Sequence, residues 1–199
     1  DFFEKPFNDN DLMDRVDQRI AVSEQARESA DAWLGGPWEV IPDGVLVPPH
    51  ADPGGREHTV VFAGRHEPRK GLQVLLRAWP EIHRRTGARL QVCGADPLAV
   101  RLLLTRLRTH DDGIDILGFL SQEELTSLLT RTKALIAPSL GGESFGMVLT
   151  RAYACSLPVV ASDIPGYREV LTPEAAVSVP PDDPTALAEA TISLLGDES

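Results

Sequence analysis

The sequence contains little cysteine: Cys93 and Cys155 are the only two among 199 residues. They are far apart, each in an apolar context, and neither belongs to a metal-ligand or redox-pair spacing. Two small buried hydrophobes in a reducing cytoplasm is the expected role. The histidines at 50, 58, 66, 83 and 110 show no ligand spacing either, which argues against a zinc site. No apolar run approaches the roughly 18 residues of a membrane span. Cations are scarce: 19 Lys and Arg against 30 Asp and Glu leave a net charge of −11. That sign argues against a nucleic-acid partner, which needs a basic surface. Repeats and low-complexity tracts are missing too. What remains is 42% hydrophobic and 25% charged, the composition of a packed chain rather than a disordered one. Its length allows one or two domains with a sizeable core.

The few cations are unevenly spread. Residues 1–50 carry 4 basic and 11 acidic groups, residues 51–110 carry 11 and 5, and residues 111–199 carry 4 and 14. An anionic ligand is therefore expected to be met in the middle stretch. Arg84, Arg85, Arg89, Arg106 and Arg108 are read as solvated helix faces rather than as part of that site.

From residue 58 onward, short β-branched runs alternate with amphipathic stretches. Strands are expected at Thr59–Ala63, Leu90–Cys93, Ile114–Leu117, Ala134–Ala137, Pro158–Ala161 and Ala176–Val179, with helices over 71–86, 97–109, 121–131, 144–155, 165–171 and 184–195. Strands spaced by helices of this length predict an α/β fold with a parallel, doubly wound sheet. Ser121 with Glu124 reads as a capping box, and Asp183-Pro184 opens the last helix. Pro80 predicts a kink or an early helix end near Trp79. Residues 1–50 differ. They suggest a helix start over Asn8–Asp17, a strand at Arg19–Val22, a helix over Ser23–Leu34 capped by Ser23, and a strand at Trp38–Ile41. The Pro/Gly-rich Pro48–Gly55 reads as a linker. A strand–helix–strand unit this small cannot bury both faces of its own sheet. Residues 1–50 are therefore expected to be the remnant of a larger domain or a docking segment, joined by a linker reaching about residue 56 to a domain over 57–199.

Three loops fall at carboxyl ends of predicted strands, where doubly wound sheets bind ligands. In Gly64-Arg65-His66-Glu67-Pro68-Arg69-Lys70-Gly71, a glycine lets a ligand approach the backbone while Arg65 and Lys70 straddle a helix start. A guanidinium and an ammonium aimed at one point suit a diphosphate, each charge-assisted hydrogen bond contributing ~1.5–3 kcal/mol. The structural alternative is a surface loop in which Glu67 pairs with Arg69 or Lys70. In Ser139-Leu140-Gly141-Gly142-Glu143-Ser144-Phe145-Gly146-Met147-Val148, free backbone amides stand beside one carboxylate. Amides can hold phosphate oxygens, and a carboxylate can accept from sugar hydroxyls. A plain N-cap by Ser144 is the alternative, but a cap does not call for Gly141-Gly142. The third loop, Ser162–Gly166, reads as a generic turn without chemistry of its own.

These motifs, Gly64-Arg65-x4-Lys70-Gly71, Gly142-Glu143-Ser144-Phe145-Gly146-Met147-Val148-Leu149 and Pro158-Val159-Val160-Ala161-Ser162-Asp163, stand in an order and spacing that resembles the carboxyl-terminal half of family-4 GT-B retaining glycosyltransferases. Glu67-Pro68-Arg69-Lys70-Gly71 and the Gly141–Gly146 wording are most similar to the actinobacterial phosphatidyl-myo-inositol mannosyltransferases. The resemblance implies two Rossmann-like domains with a cleft between them, the second binding a nucleotide-sugar donor such as a GDP- or UDP-sugar without an obligatory metal. It implies that Arg65 and Lys70 hold the diphosphate beside Gly64. Glu143, next to Gly142, would contact sugar hydroxyls with the amides of Phe145, Gly146 and Met147, and Leu120 would lie near the base. It also implies that this chain is the donor-binding part, inactive alone. The first domain would supply a histidine at the anomeric carbon and the pocket for a lipid or small glycoside acceptor. Such an enzyme is expected in the cytoplasm, with a peripheral role at the inner face of the plasma membrane.

One departure stands out. Eight positions after Glu143, where the family places a second acid on the ribose diol, this chain has Arg151. A cation accepts no hydrogen bond. In an otherwise standard site the change costs ~2–4 kcal/mol, or ~30–1000-fold in donor affinity. Either the ribose is held differently, with Arg151 meeting a phosphate, or donor binding has decayed into a non-catalytic module. A sugar-nucleotide epimerase of the same architecture is a third reading.

Overall fold

A computed structural model describes residues 16–48 and 55–196 of the chain. All of the expected Asn8–Asp17 helix start except Val16 and Asp17, which are not helical, and most of the expected linker lie outside the described residues.

The main body is a six-stranded parallel sheet: β3 (Glu57–Ala63), β4 (Arg89–Cys93), β5 (Ile114–Gly118), β6 (Thr132–Ala137), β7 (Val159–Ser162) and β8 (Ala176–Val179). Their order across the sheet is β5-β4-β3-β6-β7-β8. Parallel neighbours require crossovers, supplied by α2 (Leu72–Thr86), α3 (Pro97–Leu107), α4 (Gln122–Arg131), α5 (Met147–Ala154) and the short α6 (Pro165–Arg168). A final helix, α7 (Pro184–Gly196), returns to pack against α2.

Both faces of the sheet are covered, and the pleat sorts the side chains. Val60 and Phe62 join one core with Leu75, Trp79 and Ile82 of α2, while Val61 between them joins the other with Leu129 and Leu149. Continuous apolar runs such as Val60–Phe62 are what a strand buried on both faces needs. Cys93 and Cys155 are buried, and burial pushes the Cys93 thiol up to about 11. The predicted capping box forms: Ser121 accepts from the Glu124 amide, and the Glu124 carboxylate accepts from Ser121. Arg84, Arg85, Arg89, Arg106 and Arg108 are exposed, as expected of solvated helix faces and sheet edges.

Two expectations need adjustment. Of the kink or early end expected near Trp79, the early end does not occur: α2 runs through Pro80 to Thr86, as its 71–86 pattern predicts, with Trp79 and Ile82 both fully buried beside the proline. The helix expected over 144–155 begins only at Met147, because Gly146 is left-handed at φ 89° and the preceding residues stay in the loop.

Before the main sheet, β1 (Ile20–Ala21) and β2 (Glu39–Val40) form a separate two-stranded parallel sheet bridged by α1 (Glu24–Leu34). Ser23 caps α1 by accepting from the Ala26 amide, as its sequence position predicts.

Candidate functional site

β3 and β6 lie side by side at the centre of the sheet, yet each continues outward in the opposite direction. At such a switch point the two following loops diverge and leave a crevice beyond the carboxyl ends of the strands. Here those loops are residues 64–71 and 138–146.

The two loops are pinned to each other. Pro68–Lys70 form a short 3-10 turn ending at Gly71, left-handed at φ 70°. A Cβ on Gly71 would lie 1.7 Å from the Pro138 carbonyl oxygen, so only glycine permits this approach. The Leu140 amide donates to the Arg69 carbonyl at 2.7 Å. Together these contacts carry Arg69 and Lys70 onto Glu143.

Glu143 is the hub. Its side chain is 10% exposed and takes Lys70 Nζ at 2.7 Å on Oε1 and Arg69 Nη1 at 3.0 Å on the same oxygen. Ser139 Oγ donates to it at 3.1 Å. Because that hydroxyl proton is committed to the carboxylate, the 2.8 Å contact between Ser139 Oγ and Tyr167 must have the phenol as donor. Burial, then the charge of Glu143, holds the Tyr167 phenol well above its usual range, so it keeps the proton it donates. The third loop, read from sequence as inert, is thus a buttress. Gly166 packs so closely on Glu143 that a Cβ there would lie 1.7 Å from the Glu143 carbonyl oxygen.

Lys70, Glu143, Phe145, Gly146, Met147 and Arg151 line one cavity of about 380 Å³, joined by Val22 and Asp43 from the segments that follow β1 and β2. At the start of α5 the Leu149 amide donates to the Gly146 carbonyl at 2.8 Å, which leaves the amides of Met147 and Val148, both lining this cavity, without an intrahelical acceptor at a helix end that favours negative charge. Gly142 lies outside the lining, where its carbonyl accepts from Arg69 Nη1 at 2.9 Å. Gly64 sits beside the stem of Lys70, 3.8 Å from a Cβ built on that glycine to Lys70 Cδ. Arg65 lies outside the lining: its side chain is 71% exposed and pairs with Glu67 at 2.9 Å. Leu120 also lies elsewhere, in a shallow groove with Leu117 and Glu123.

Several contributors were not legible in the sequence. Arg69 was visible only as a surface partner of Glu67, yet it bridges Glu67 at 2.7 Å and Glu143 at 3.0 Å. Ser139 and Tyr167 gave no signal, since their roles depend on which loops meet. The small sheet is tied to the site by Ser23, whose hydroxyl donates to the Ser144 carbonyl. The Glu169 carboxylate accepts from the amides of Glu24 and Gln25 at 3.0 and 2.9 Å, acting as the anion at the start of α1.

Among the described residues no group of His, Cys, Asp and Glu could hold a metal ion, and no helix is long and apolar enough to cross a membrane.

Comparison with known proteins gives the same frame. A family model described as "Glycosyl transferases group 1" matches residues 57–197. The phosphatidyl-myo-inositol mannosyltransferase of Mycolicibacterium smegmatis is 37% identical over 195 residues, covering 93% of this chain and 50% of its own. Its Mycobacterium tuberculosis counterpart is 36% identical over 198 residues, covering 92% and 52%. The chain thus spans about half the length of these curated relatives. Sucrose-phosphate synthase from Thermosynechococcus elongatus superposes with a TM-score of 0.78 at 27% identity, over 94% of this chain and 51% of that one. Anabaena Alr3699/HepE, solved with UDP and glucose, gives 0.75 at 22% identity over 90% and 54%, a likeness of fold.

Proposed function

Because the chain belongs to the group 1 glycosyl transferases, we propose that it forms the donor-binding half of an enzyme moving a hexose from a nucleoside-diphosphate sugar to an acceptor, with retention of configuration. The observation that carries this reading is the meeting of Lys70, Glu143 and the amide end of α5 in one cavity at the switch point of the sheet. A diphosphate is matched by the ammonium of Lys70 and the first-turn amides, with Arg65 at the loop rim free to swing from Glu67. Glu143 offers the carboxylate that sugar hydroxyls need, and Phe145, Gly146 and Met147 supply backbone donors beside it. Gly64 and Gly142 keep the loops slim, and Leu120, in its separate groove, is assigned to the base end by the family resemblance alone.

The chemical task of this half is to stabilise the departing nucleotide. Negative charge grows on the diphosphate as the glycosidic bond breaks, and cations already fixed by loop contacts meet it without reorganisation. Lys70 is fixed in that sense by Glu143, and the donor shares the ammonium rather than displacing it. The remaining half would bring the acceptor and the group acting at the anomeric carbon. The names of the relatives favour a mannosyl donor and an inositol lipid as acceptor.

Titration calorimetry with GDP, UDP and their sugars tests the reading. Binding that is weakened by Lys70→Ala supports it. No binding at millimolar ligand, with Lys70→Ala indistinguishable from the native chain, overturns it.

A further inference from the structure

Most charged arginines near the loops of this molecule are engaged. Arg65 and Arg69 pair with Glu67, Arg168 with Asp163, and Arg56 donates to backbone carbonyls of Thr132, Cys155 and Ser156. Arg151 differs. It is half-buried, lines the same cavity as Lys70 and Glu143, and has no hydrogen-bond or ion-pair partner among the described residues. An unpaired, partly desolvated guanidinium is costly unless an anion completes it.

Among the described residues no carboxylate of the cavity pairs with Arg151. Of its two carboxylates, Glu143 is already taken by Lys70, Arg69 and Ser139. Asp43, which follows β2, makes no ion pair with Arg151. Arg151 lies on α5, five residues after Gly146, and helical side chains lean toward the amino end of their helix. That geometry brings the guanidinium back toward the free amides of the first turn, adding its charge to theirs. Lys70, Arg151 and the helix end therefore put positive potential on one small space, and position 151 itself offers no carboxylate to accept from a ribose diol.

We propose that Arg151 is a second anion-binding residue of this cavity, taking a diphosphate oxygen, and that the ribose hydroxyls of the nucleotide are not read here. This rests on the donor-binding reading above. It turns the arginine from a defect into a specificity determinant: the site selects ligands by phosphate charge and tolerates change at the ribose.

The test is titration calorimetry of the 199-residue chain with GDP, UDP, their 2′-deoxy forms and inorganic pyrophosphate. Ribo- and deoxynucleotides are expected to bind within about threefold of each other. Arg151→Ala and Arg151→Gln are each expected to weaken nucleotides and pyrophosphate alike by roughly 10- to 100-fold, the loss of one charge-assisted contact. Thermal melting of both variants verifies that they fold, and Gln keeps most of the side-chain volume should Ala disturb the helix. If Lys70→Ala weakens binding but the Arg151 variants change it less than twofold, Arg151 does not hold the phosphate and the inference fails while the donor site stands. A tenfold or larger preference for ribo- over deoxynucleotides likewise overturns it. If no nucleotide binds and Lys70→Ala changes nothing, the donor reading itself fails and takes this inference with it.

Discussion

Lys70 and Glu143, 73 residues apart in sequence, meet at 2.7 Å in a cavity at the centre of the sheet. Neither loop could hold this geometry alone. The pair forms because Gly71 and Gly166 let three loops approach within backbone contact distance.

The pair sets the first prediction. Glu143→Gln removes the charge that competes with a diphosphate for Lys70 while keeping the shape of the side chain. GDP and UDP should bind as well as to the native chain or about two- to fivefold more tightly, the range of a modest gain in cation availability. Lys70→Ala should weaken them by about tenfold or more. Calorimetry on both variants checks the pair, and a loss of nucleotide affinity in Glu143→Gln would contradict it.

Glycine 71 makes a stability prediction with a built-in control. Gly71→Ala places a Cβ 1.7 Å from the Pro138 oxygen at φ 70°, whereas Gly87→Ala, at φ 68°, meets nothing within 4 Å. The first should cost about 3 kcal/mol or more, combining left-handed strain with overpacking, and the second only about 1 kcal/mol. Urea unfolding of the two variants measures the difference.

Alkaline titration probes the buttress behind Glu143. The chain has two tyrosines, and burial raises both Tyr153 and Tyr167 above the usual value of 10. A phenol whose folded pKa is raised contributes stability that is complete below the unfolded value and lost as pH climbs above it. Tyrosinate absorbance of the folded chain should therefore lag that of the urea-unfolded chain, and stability should fall above about pH 10. Tyr167→Phe should cost about 1 kcal/mol at neutral pH. Coincident titration curves in the two states would refute the buried, donating phenol.

Glu169 holds the amide end of α1. In Glu169→Ala the amides of Glu24 and Gln25 lose their acceptors, and their hydrogen exchange should quicken by about 3- to 30-fold, the scale of a lost helix cap. Exchange in β6 should stay unchanged. Equal protection of Glu24 and Gln25 in the variant would rule out the latch.

Ser156 is left-handed at φ 52° without being glycine. Its carbonyl accepts from Arg56 Nη2, a contact that a glycine preserves. Ser156→Gly should stabilise the chain by about 0.5–1 kcal/mol, relief of left-handed strain offset by unfolded-state entropy. Thermal melting reads the sign.

Much of the fold was legible before any coordinate. Val60–Phe62, Leu135–Ala137 and Val159–Ala161 are apolar without alternation, which suits strands covered on both faces, and the intervening helical patterns imply parallel crossovers. Ser23, Ser121 and Asp183 announced helix starts because a cap is a local event within three residues. Lys70, Glu143 and the glycine loop before α5 were legible as site candidates for the same reason, being short-range patterns at strand ends. The start of α5 was misplaced by three residues, since nothing local shows that Gly146 turns left-handed against Tyr167.

By itself the sequence determined the strand and helix alternation, the caps, and the chemistry present in each loop, because these follow from spacing and side-chain type along a few residues. Only the tertiary structure decided that the chain's few cations divide as they do. Arg69 and Lys70 turn inward onto Glu143, Arg65 stays 71% exposed, and Arg151 lines the cavity without a partner among the described residues. Net charge and even regional charge are sums along the chain, whereas a site is set by which loops the sheet order brings together. The order β5-β4-β3-β6-β7-β8 makes neighbours of β3 and β6, which are separated by about half of the domain. That pairing is a property of the packed sheet, and no local pattern records it.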